Sequence, residues 1–479
     1  VSFVILGRLL QPADFGLMAL AIFFVQFIRL FQEMGFGQAL VQKKQIASLD
    51  FNSAFWFTSG VGFSLFIILE IGAPWIANFS HNPSIEPLLH LLAVIFILDS
   101  LRVVPNAVLT KEFSFKYITL ANVIGALAYA LVAIPLALKG QRVFSLVWGF
   151  ISSSFFITIL IFIFSKWRPG FAYSWNNCRQ LMRFGLNLTG AAFFNYLANN
   201  LERFFLGRYL GSTALGIYHF CARLINLPRI MISQNIGKVI LPAFSLVQDN
   251  PVKLKQGYLS LFKSLSYLSF FLMSFLALTA DLWIPGIFGQ KWIPAVWPFR
   301  ILIFSGLLST IGSPLGNTYL AKGKSHISLL INIIMSVVAV LIYSLFTQWG
   351  LMAVCWGAVI YRIINFGLNL RFSAGVVKAG VREHLVVLAK PFLGIGEVVV
   401  LTVTLRLLLK LTFLDNWPLI NLIIIFLANL VGGWIFFKIV EKGVEEKIKP
   451  ILKAFGRVCL GPRTKRSKIV INFISLLCH

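Results

Sequence analysis

The sequence predicts an all-α, polytopic membrane protein of about 14 transmembrane helices, and three observations predict it. Of 479 residues, 58% are hydrophobic and 12% charged, with a mean hydropathy of +0.85, whereas soluble domains run near about 45–50% apolar and about 25% charged. The apolar residues gather into runs of about twenty or more, the length a helix needs to cross the hydrocarbon layer. The ten-residue alternating segments of a barrel are absent from the sequence, which leaves the helix as the element that satisfies its own backbone in lipid.

Taken in order, each run is justified by its own polar breaks. A short first run, 1–10, is followed by 15–37, 51–79, 85–109, 117–138 and 143–165; a second series covers 184–206, 214–247, 258–285, 296–321, 327–347 and 351–370; 385–409 and 418–440 complete the set. Residues 1–10 would rise only about 15 Å as a helix, half a bilayer, so a segment of about 15 residues is expected to precede them. The 214–247 run exceeds what a bilayer needs and carries Pro228, which predicts a kink or a cytoplasmic extension. The expected organisation is an N-terminal six-helix lobe over 1–165, a cytoplasmic linker over 166–183 and a second six-helix lobe over 184–376. Two extra transmembrane helices over 377–441 and a basic cytoplasmic tail over 442–479 follow.

The formal charge of +26 does not predict a nucleic-acid partner, because Lys and Arg sit in the short gaps between apolar runs. Even-numbered gaps hold sixteen of them, such as Lys43, Lys111, Arg168 and Lys324, against seven in the odd gaps, and the tail is basic again. The positive-inside rule then places the even gaps and both termini in the cytoplasm, and the tail beside anionic lipid. The five cysteines are scattered and the six histidines lie far apart, so the spacing predicts no disulfide framework, metal site, cofactor or catalytic constellation.

"GRLLQPADFGLMALA" from Gly7 is echoed by "GRYLGSTALGIYHFC" from Gly207, "LTKEFS" from Leu109 by "LAKGKS" from Leu320, and "VWG" at Val147 by "CWG" at Cys355. Three echoes in one order predict an internal duplication. Six spans per copy, an even number, make the two halves enter the membrane the same way round, a parallel repeat.

Charged and amide residues deep in spans are costly and therefore informative. Arg29 and Glu33 stand at i,i+4, and Asp99 and Arg102 at i,i+3, both spacings that put opposite charges on one helical face. Asn187, Asn195, Asn199 and Glu202 form a polar stripe in the seventh span, with Arg203 beside it. Arg223, Arg229 and Arg362 are further deep cations, Arg300 lies near an interface, and Glu70, Asp281 and Glu397 read as isolated acids. Arginine outnumbers acid in the spans, and a planar guanidinium grips phosphate with two hydrogen bonds, which points to an anionic cargo carrying phosphate or pyrophosphate. Trp283, Trp292 and Trp297 suit an interfacial aromatic belt.

The stretch "FGLNLTGAAFFNYLANNLERFFLGRYLGSTALGIYHFCARLINLP" (184–228), with "GRLLQPADFGLMALA" and "FGQKWIPAVWPFRIL", resembles Wzx-type polysaccharide transporters, most closely the colanic-acid-exporter-like branch. These belong to the MOP superfamily, with the MATE drug exporters and the lipid II flippases. The resemblance spans essentially the whole chain and implies a V of two six-helix lobes in a bacterial inner membrane. It also implies a flippase for a polyprenyl-pyrophosphate-linked oligosaccharide repeat unit, with membrane lipid, polysaccharide polymerase and chain-length proteins as candidate partners. The family usually carries Asp where this chain has Glu202. On this reading Arg29, Asn195, Asn199, Arg223 and Arg362 are candidate cargo-binding residues, and Glu202, Arg203, Glu33, Asp99 and Arg102 are candidate gate or coupling residues. A MATE-type cation-coupled drug exporter, a lipid II flippase and a non-transporting scaffold are the competing readings.

Overall fold

The computed structural model describes residues 2–43, 46–230, 251–321, 324–377, 379–410 and 418–440. Among them every regular element is helical. In chain order these are α1 (Ser2–Leu9), α2 (Pro12–Glu33), α3 (Phe36–Gln42), α4 (Ser48–Phe79), α5 (Glu86–Lys111), α6 (Phe115–Leu138), α7 (Arg142–Ser165), α8 (Trp175–Tyr209) and α9 (Gly211–Arg229). They continue as α10 (Pro251–Leu278), α11 (Ala280–Phe288), α12 (Val296–Ile311), α13 (Ser313–Ala321), α14 (Ser325–Phe346), α15 (Leu351–Val377), α16 (Val381–Lys410) and α17 (Pro418–Val440), with 3-10 turns at Pro83–Ile85, Gln290–Ala295 and Thr347–Trp349. Ten segments among the described residues are long and apolar enough to cross a membrane.

Two expected spans are interrupted. The run 15–37 is broken where Met34 and Gly35 take left-handed φ values of 37° and 69°, so α2 stops at Glu33 and α3 starts at Phe36. The run 296–321 is broken at Gly312, where a β-carbon would meet the Leu308 carbonyl and the Phe366 ring. The extension expected beyond Arg229 and the basic tail lie outside the described residues.

The described residues fall into two compact units. The first comprises Val1–Cys221, Ile287–Pro298 and Asn332–Gly357; the second comprises Ala222–Gly286, Phe299–Ile331 and Ala358–His479, counting in each the described residues alone. In the first unit α6 buries its small residues Ala121, Gly125, Ala128, Ala133 and Ala137, while Val123, Leu127 and Leu131 point outward. Gly125 abuts Ile157, and Gly149 abuts Ala133 and Tyr129. Close approach of α6 and α7 over small residues is how helices associate where lipid removes any hydrophobic drive between them.

Two features tie distant sequence together in this unit. Trp292 is fully buried and stacked on Phe220, ring centroids 3.7 Å apart, and its Nε1–H donates to the Gly7 carbonyl at 2.8 Å. Lys291 donates to the Arg8 carbonyl at 2.7 Å, and Arg8 Nε donates to the Ile287 carbonyl. The last carbonyls of α1, which have no partner within the helix, are thus satisfied from "IFGQKW". This corrects the aromatic-belt expectation for Trp292, a core residue, and for Trp283, which in the second unit is 7% exposed; Trp297, 63% exposed, fits an interfacial site.

The linker 166–174 is sewn to the first turns of α4. Asn52 Oδ1 accepts from Gly170 N–H at 3.0 Å, Trp56 Nε1–H donates to the Gly170 carbonyl at 2.9 Å, and Ser53 Oγ accepts from Ser174 N–H at 2.8 Å. Buried Asp50 accepts from both Lys43 Nζ at 2.8 Å and Asn177 Nδ2 at 2.7 Å, joining α4 to the start of α8. Burial, with Cys178 as hydrogen-bonding neighbour, raises the Tyr173 phenol above its ordinary range.

Candidate functional site

In the first unit a charge cluster links three helices. Asp99 on α5, 4% exposed, sits between Arg102 at 2.7 Å and Arg29 of α2 at 3.1 Å, and Ser154 Oγ of α7 donates to it at 2.9 Å. Both arginines are half-buried. Such a group is tolerated in lipid because its members neutralise and hydrogen-bond one another. One turn along α2, buried Gln32 donates to the Phe96 carbonyl at 2.5 Å while its own Oε1 has no partner among the described residues. The side chain of Glu33 lies outside the described residues.

The polar stripe of α8 is placed in the same unit. Asn199 Nδ2 donates to both the carbonyl and the side-chain oxygen of Asn195 at 2.9 Å, and both residues are exposed. Tyr196, one residue on, donates to the Phe23 carbonyl at 2.7 Å and stacks on its ring, which fixes the rotation of α8 against α2. Glu202 and Arg203 are half-buried. The side chain of Asn187 lies outside the described residues. Glu70, read from sequence as isolated, is paired with His90 at 2.5 Å.

The second unit holds the remaining arginines. Arg223 on α9 is exposed. Arg229 donates to Asn226 Oδ1 at 2.8 Å and lies close enough to Arg362 of α15 for the two like charges to repel. Arg362 Nε is buried with no acceptor among the described residues, and its guanidinium carbon stands 5.7 Å from the Tyr361 ring centroid. An unpaired cationic N–H in a low-dielectric setting is expensive, and a second cation beside it raises the cost; an anion would relieve both. Asp281 is not isolated either: Arg300 and Arg406 each bind one of its oxygens at 2.7 Å. Glu397 keeps that reading, since its buried Oε1 has no partner among the described residues.

Reading the sequence missed one constellation. Asn365 and Asn369 lie three and seven residues after Arg362, on one face of α15. Asn369 Nδ2 donates to the Asn365 carbonyl at 2.8 Å and to its Oδ1 at 3.2 Å, and Tyr319 Oη donates to Asn369 Oδ1 at 2.9 Å. The i,i+4 asparagines, at the same spacing as Asn195 and Asn199, were the available signal. Among the described residues no group of three His, Cys, Asp or Glu side chains could hold a metal ion.

The described residues thus form a helical membrane fold whose spans carry arginines and amides, turned to one another or left open. Residues 5–297 match the family model described as Polysaccharide biosynthesis protein, and the chain belongs to that family. It is 24% identical over 396 residues to the teichuronic acid biosynthesis protein TuaB of Bacillus subtilis, covering 82% of each chain. It is 24% identical over 414 residues to the lipopolysaccharide biosynthesis protein WzxC of Escherichia coli, covering 86% of this chain and 84% of that one. Among solved structures the fold is similar to the lipid II flippase MurJ in an inward closed conformation, with a TM-score of 0.75 at 15% identity over 91% of this chain and 95% of that one. An inward-facing multidrug resistance MATE transporter of the MOP superfamily gives 0.63 at 15% identity over 80% of this chain and 96% of that one.

Proposed function

We propose that this chain is a flippase, not an enzyme, that carries a polyprenyl-pyrophosphate-linked oligosaccharide repeat unit across the bacterial inner membrane for surface polysaccharide export. The observation that carries the reading is Arg362: a buried guanidinium nitrogen without an acceptor among the described residues, beside a second arginine, asks for an anion. Family membership and relatives named for teichuronic acid and lipopolysaccharide biosynthesis support the class of cargo. A relative in Rhizobium meliloti is named a succinoglycan biosynthesis transport protein, which supports movement rather than synthesis.

In this reading about 14 spans form two parallel six-helix lobes in a V plus two C-terminal helices. Both termini are cytoplasmic, and the lobes rock to expose the cleft to one side at a time. The echoed phrases support the duplication, and the basic even gaps support the orientation. The pyrophosphate lies against Arg362 and Arg223 while the polyprenyl chain stays in lipid. Arg29 shares its charge with Asp99 and contributes a weaker field. Asn195 and Asn199 offer amide groups to sugar hydroxyls, and Glu202 with Arg203 acts as a gate pair. A polysaccharide polymerase and chain-length proteins receive the flipped unit.

The test is complementation of a deletion strain. Arg362→Ala at wild-type protein level is expected to abolish surface polymer and to accumulate the lipid-linked repeat in the inner leaflet, with Arg362→Lys partly active. Full export by Arg362→Ala overturns the assignment. One observation favours a second reading: Glu397, an acid without a partner among the described residues, suits cation-coupled export. Drug hypersensitivity of the deletion strain with unchanged surface polymer would establish that alternative, and lysis on depletion would mark a lipid II flippase.

A further inference from the structure

Arg8 and Arg208 hold the same place in the echoed phrases and are the next-to-last residues of α1 and α8. Arg8 donates its Nε–H to the Ile287 carbonyl at 2.6 Å. Arg208 differs: its Nη1 is buried with no hydrogen-bond partner among the described residues. Its guanidinium carbon stands 4.8 Å from the centre of the Phe79 ring, at the end of α4, and 5.6 Å from that of Tyr209. Each ring is backed by another from α8, Phe79 by Phe204 at 5.3 Å and Tyr209 by Phe205 at 6.1 Å, so the two are held in place. Ring faces attract the cation but do not cancel its charge, and a buried cationic N–H without an acceptor is costly. An anion would satisfy it. Arg208 as a whole is half-buried and both rings are exposed, so the group is open to a ligand from outside.

The site lies at the far ends of α4 and α8 from the linker 166–174, which is fastened to the first turns of α4 and leads into α8. From there back toward the linker, α4 carries Phe79, Trp75, Gly72 and Ile68 on one helical face. The three large side chains are exposed, as is the neighbouring Ile71. Gly72 makes a notch between them, where a β-carbon would meet nothing within 4 Å. From Phe79 to Ile68 the helix rises about 16 Å, close to the hydrocarbon depth of one leaflet, about 15 Å. An apolar strip one leaflet deep that ends at a cation matches a phospholipid, with the phosphate at Arg208 and an acyl chain along the strip. A tailless anion would leave the strip unused, and a polyprenyl chain is longer than it. A headgroup of net negative charge suits the site better than a zwitterionic one, whose ammonium would stand near the guanidinium.

We infer that Arg208, flanked by Phe79 and Tyr209, holds the headgroup of an anionic phospholipid whose acyl chain lies along Trp75, Gly72 and Ile68 of α4. The lipid belongs to the leaflet opposite the linker, and its phosphate supplies the counter-charge for Arg208. Seated there it bridges the ends of α4 and α8, and because it binds the folded chain it raises stability in proportion to its occupancy. The inference is independent of the reading of Arg362.

The experiment titrates the delipidated full chain in detergent with dioleoyl phosphatidylglycerol and reads bound lipid by native mass spectrometry and the unfolding midpoint. The wild type binds this lipid and its midpoint rises. Arg208→Gln weakens binding about tenfold or more, the worth of one hydrogen bond to a charged group. Arg208→Lys, which keeps the charge beside the rings, recovers part of the affinity and guards against misfolding. Gly72→Leu fills the notch and weakens the dioleoyl lipid several-fold while leaving dihexanoyl phosphatidylglycerol, with its short chains, unaffected. The inference is overturned if Arg208→Gln binds the dioleoyl lipid as the wild type does, or if dioleoyl phosphatidylcholine binds the wild type equally well. Displacement of the lipid by millimolar inorganic phosphate would show a bare anion site, and displacement by equimolar undecaprenyl pyrophosphate would give the site to the cargo; either result overturns it too.

Discussion

Gly16 and Gly216 meet backbone to backbone, each against the first turn of the other's helix. A β-carbon on Gly16 would collide with the Ser212 carbonyl, and one on Gly216 with the Pro12 carbonyl; the amide nitrogens lie 2.8 and 3.0 Å from those positions. Residue 16 meets 212 as residue 216 meets 12, so the contact is reciprocal under a constant offset. A local twofold relation produces such reciprocity, and it supports the duplication read from the echoed phrases. Gly16→Ala and Gly216→Ala are each expected to lower stability by about 1–3 kcal/mol, because a carbonyl oxygen cannot step aside as a side chain can. Gly72→Ala, where nothing lies within 4 Å, is expected to be neutral or better. Thermal unfolding in detergent distinguishes the three.

Asp99 lies between Arg29 at 3.1 Å and Arg102 at 2.7 Å. Asp99→Asn removes the buried carboxylate that both half-buried guanidinium groups bind, and a loss of about 3–5 kcal/mol is expected. Combining it with Arg29→Gln should recover much of that loss, an interaction that a double-mutant cycle on the unfolding midpoint will read.

Trp292 and Trp297 differ by five positions in sequence and by everything in environment. Trp292→Leu removes a stacked, fully buried ring and the donor to the Gly7 carbonyl, and should cost about 3–5 kcal/mol. Trp297→Leu, at an exposed site, should stay within about 0.5 kcal/mol. Yield of monodisperse protein and the unfolding midpoint test both.

The linker offers a protease test. Lys166 and Arg168 flank a segment held by Asn52, Ser53 and Trp56, so wild-type vesicles should resist trypsin there. Asn52→Ala, which removes one of the two hydrogen bonds that hold Gly170, should speed cleavage several-fold. Inverted vesicles carrying Asn52→Ala should be cut faster than wild-type ones and right-side-out cells of the same variant spared, which also tests the cytoplasmic placement of this gap.

The spans were legible because hydropathy is summed over about twenty residues and tolerates local error. What escaped depended on one or two residues whose meaning is set by a partner far along the chain. The breaks at Met34–Gly35 and Gly312 depend on the backbone conformation or packing of single residues, which hydropathy averaged over a span does not register. Trp292 looks like any interfacial tryptophan until Phe220 and the Gly7 carbonyl are brought to it. Asp281 reads as isolated because its partners, Arg300 and Arg406, lie 19 and 125 residues away. Asp99 with Arg102 could be seen at i,i+3, but the third member, Arg29, comes from another helix. Asn365 and Asn369 were visible as a spacing, but Tyr319, which holds Asn369, comes from another helix.

The stitching of residues 166–174 to α4 bears on how force travels through the chain. A slack tether would let its two ends drift independently, whereas a strap fastened at Gly170, Ser174 and Asn177 behaves as a lever arm. A tilt imposed on the start of α8 is therefore expected to carry the opening turns of α4 with it.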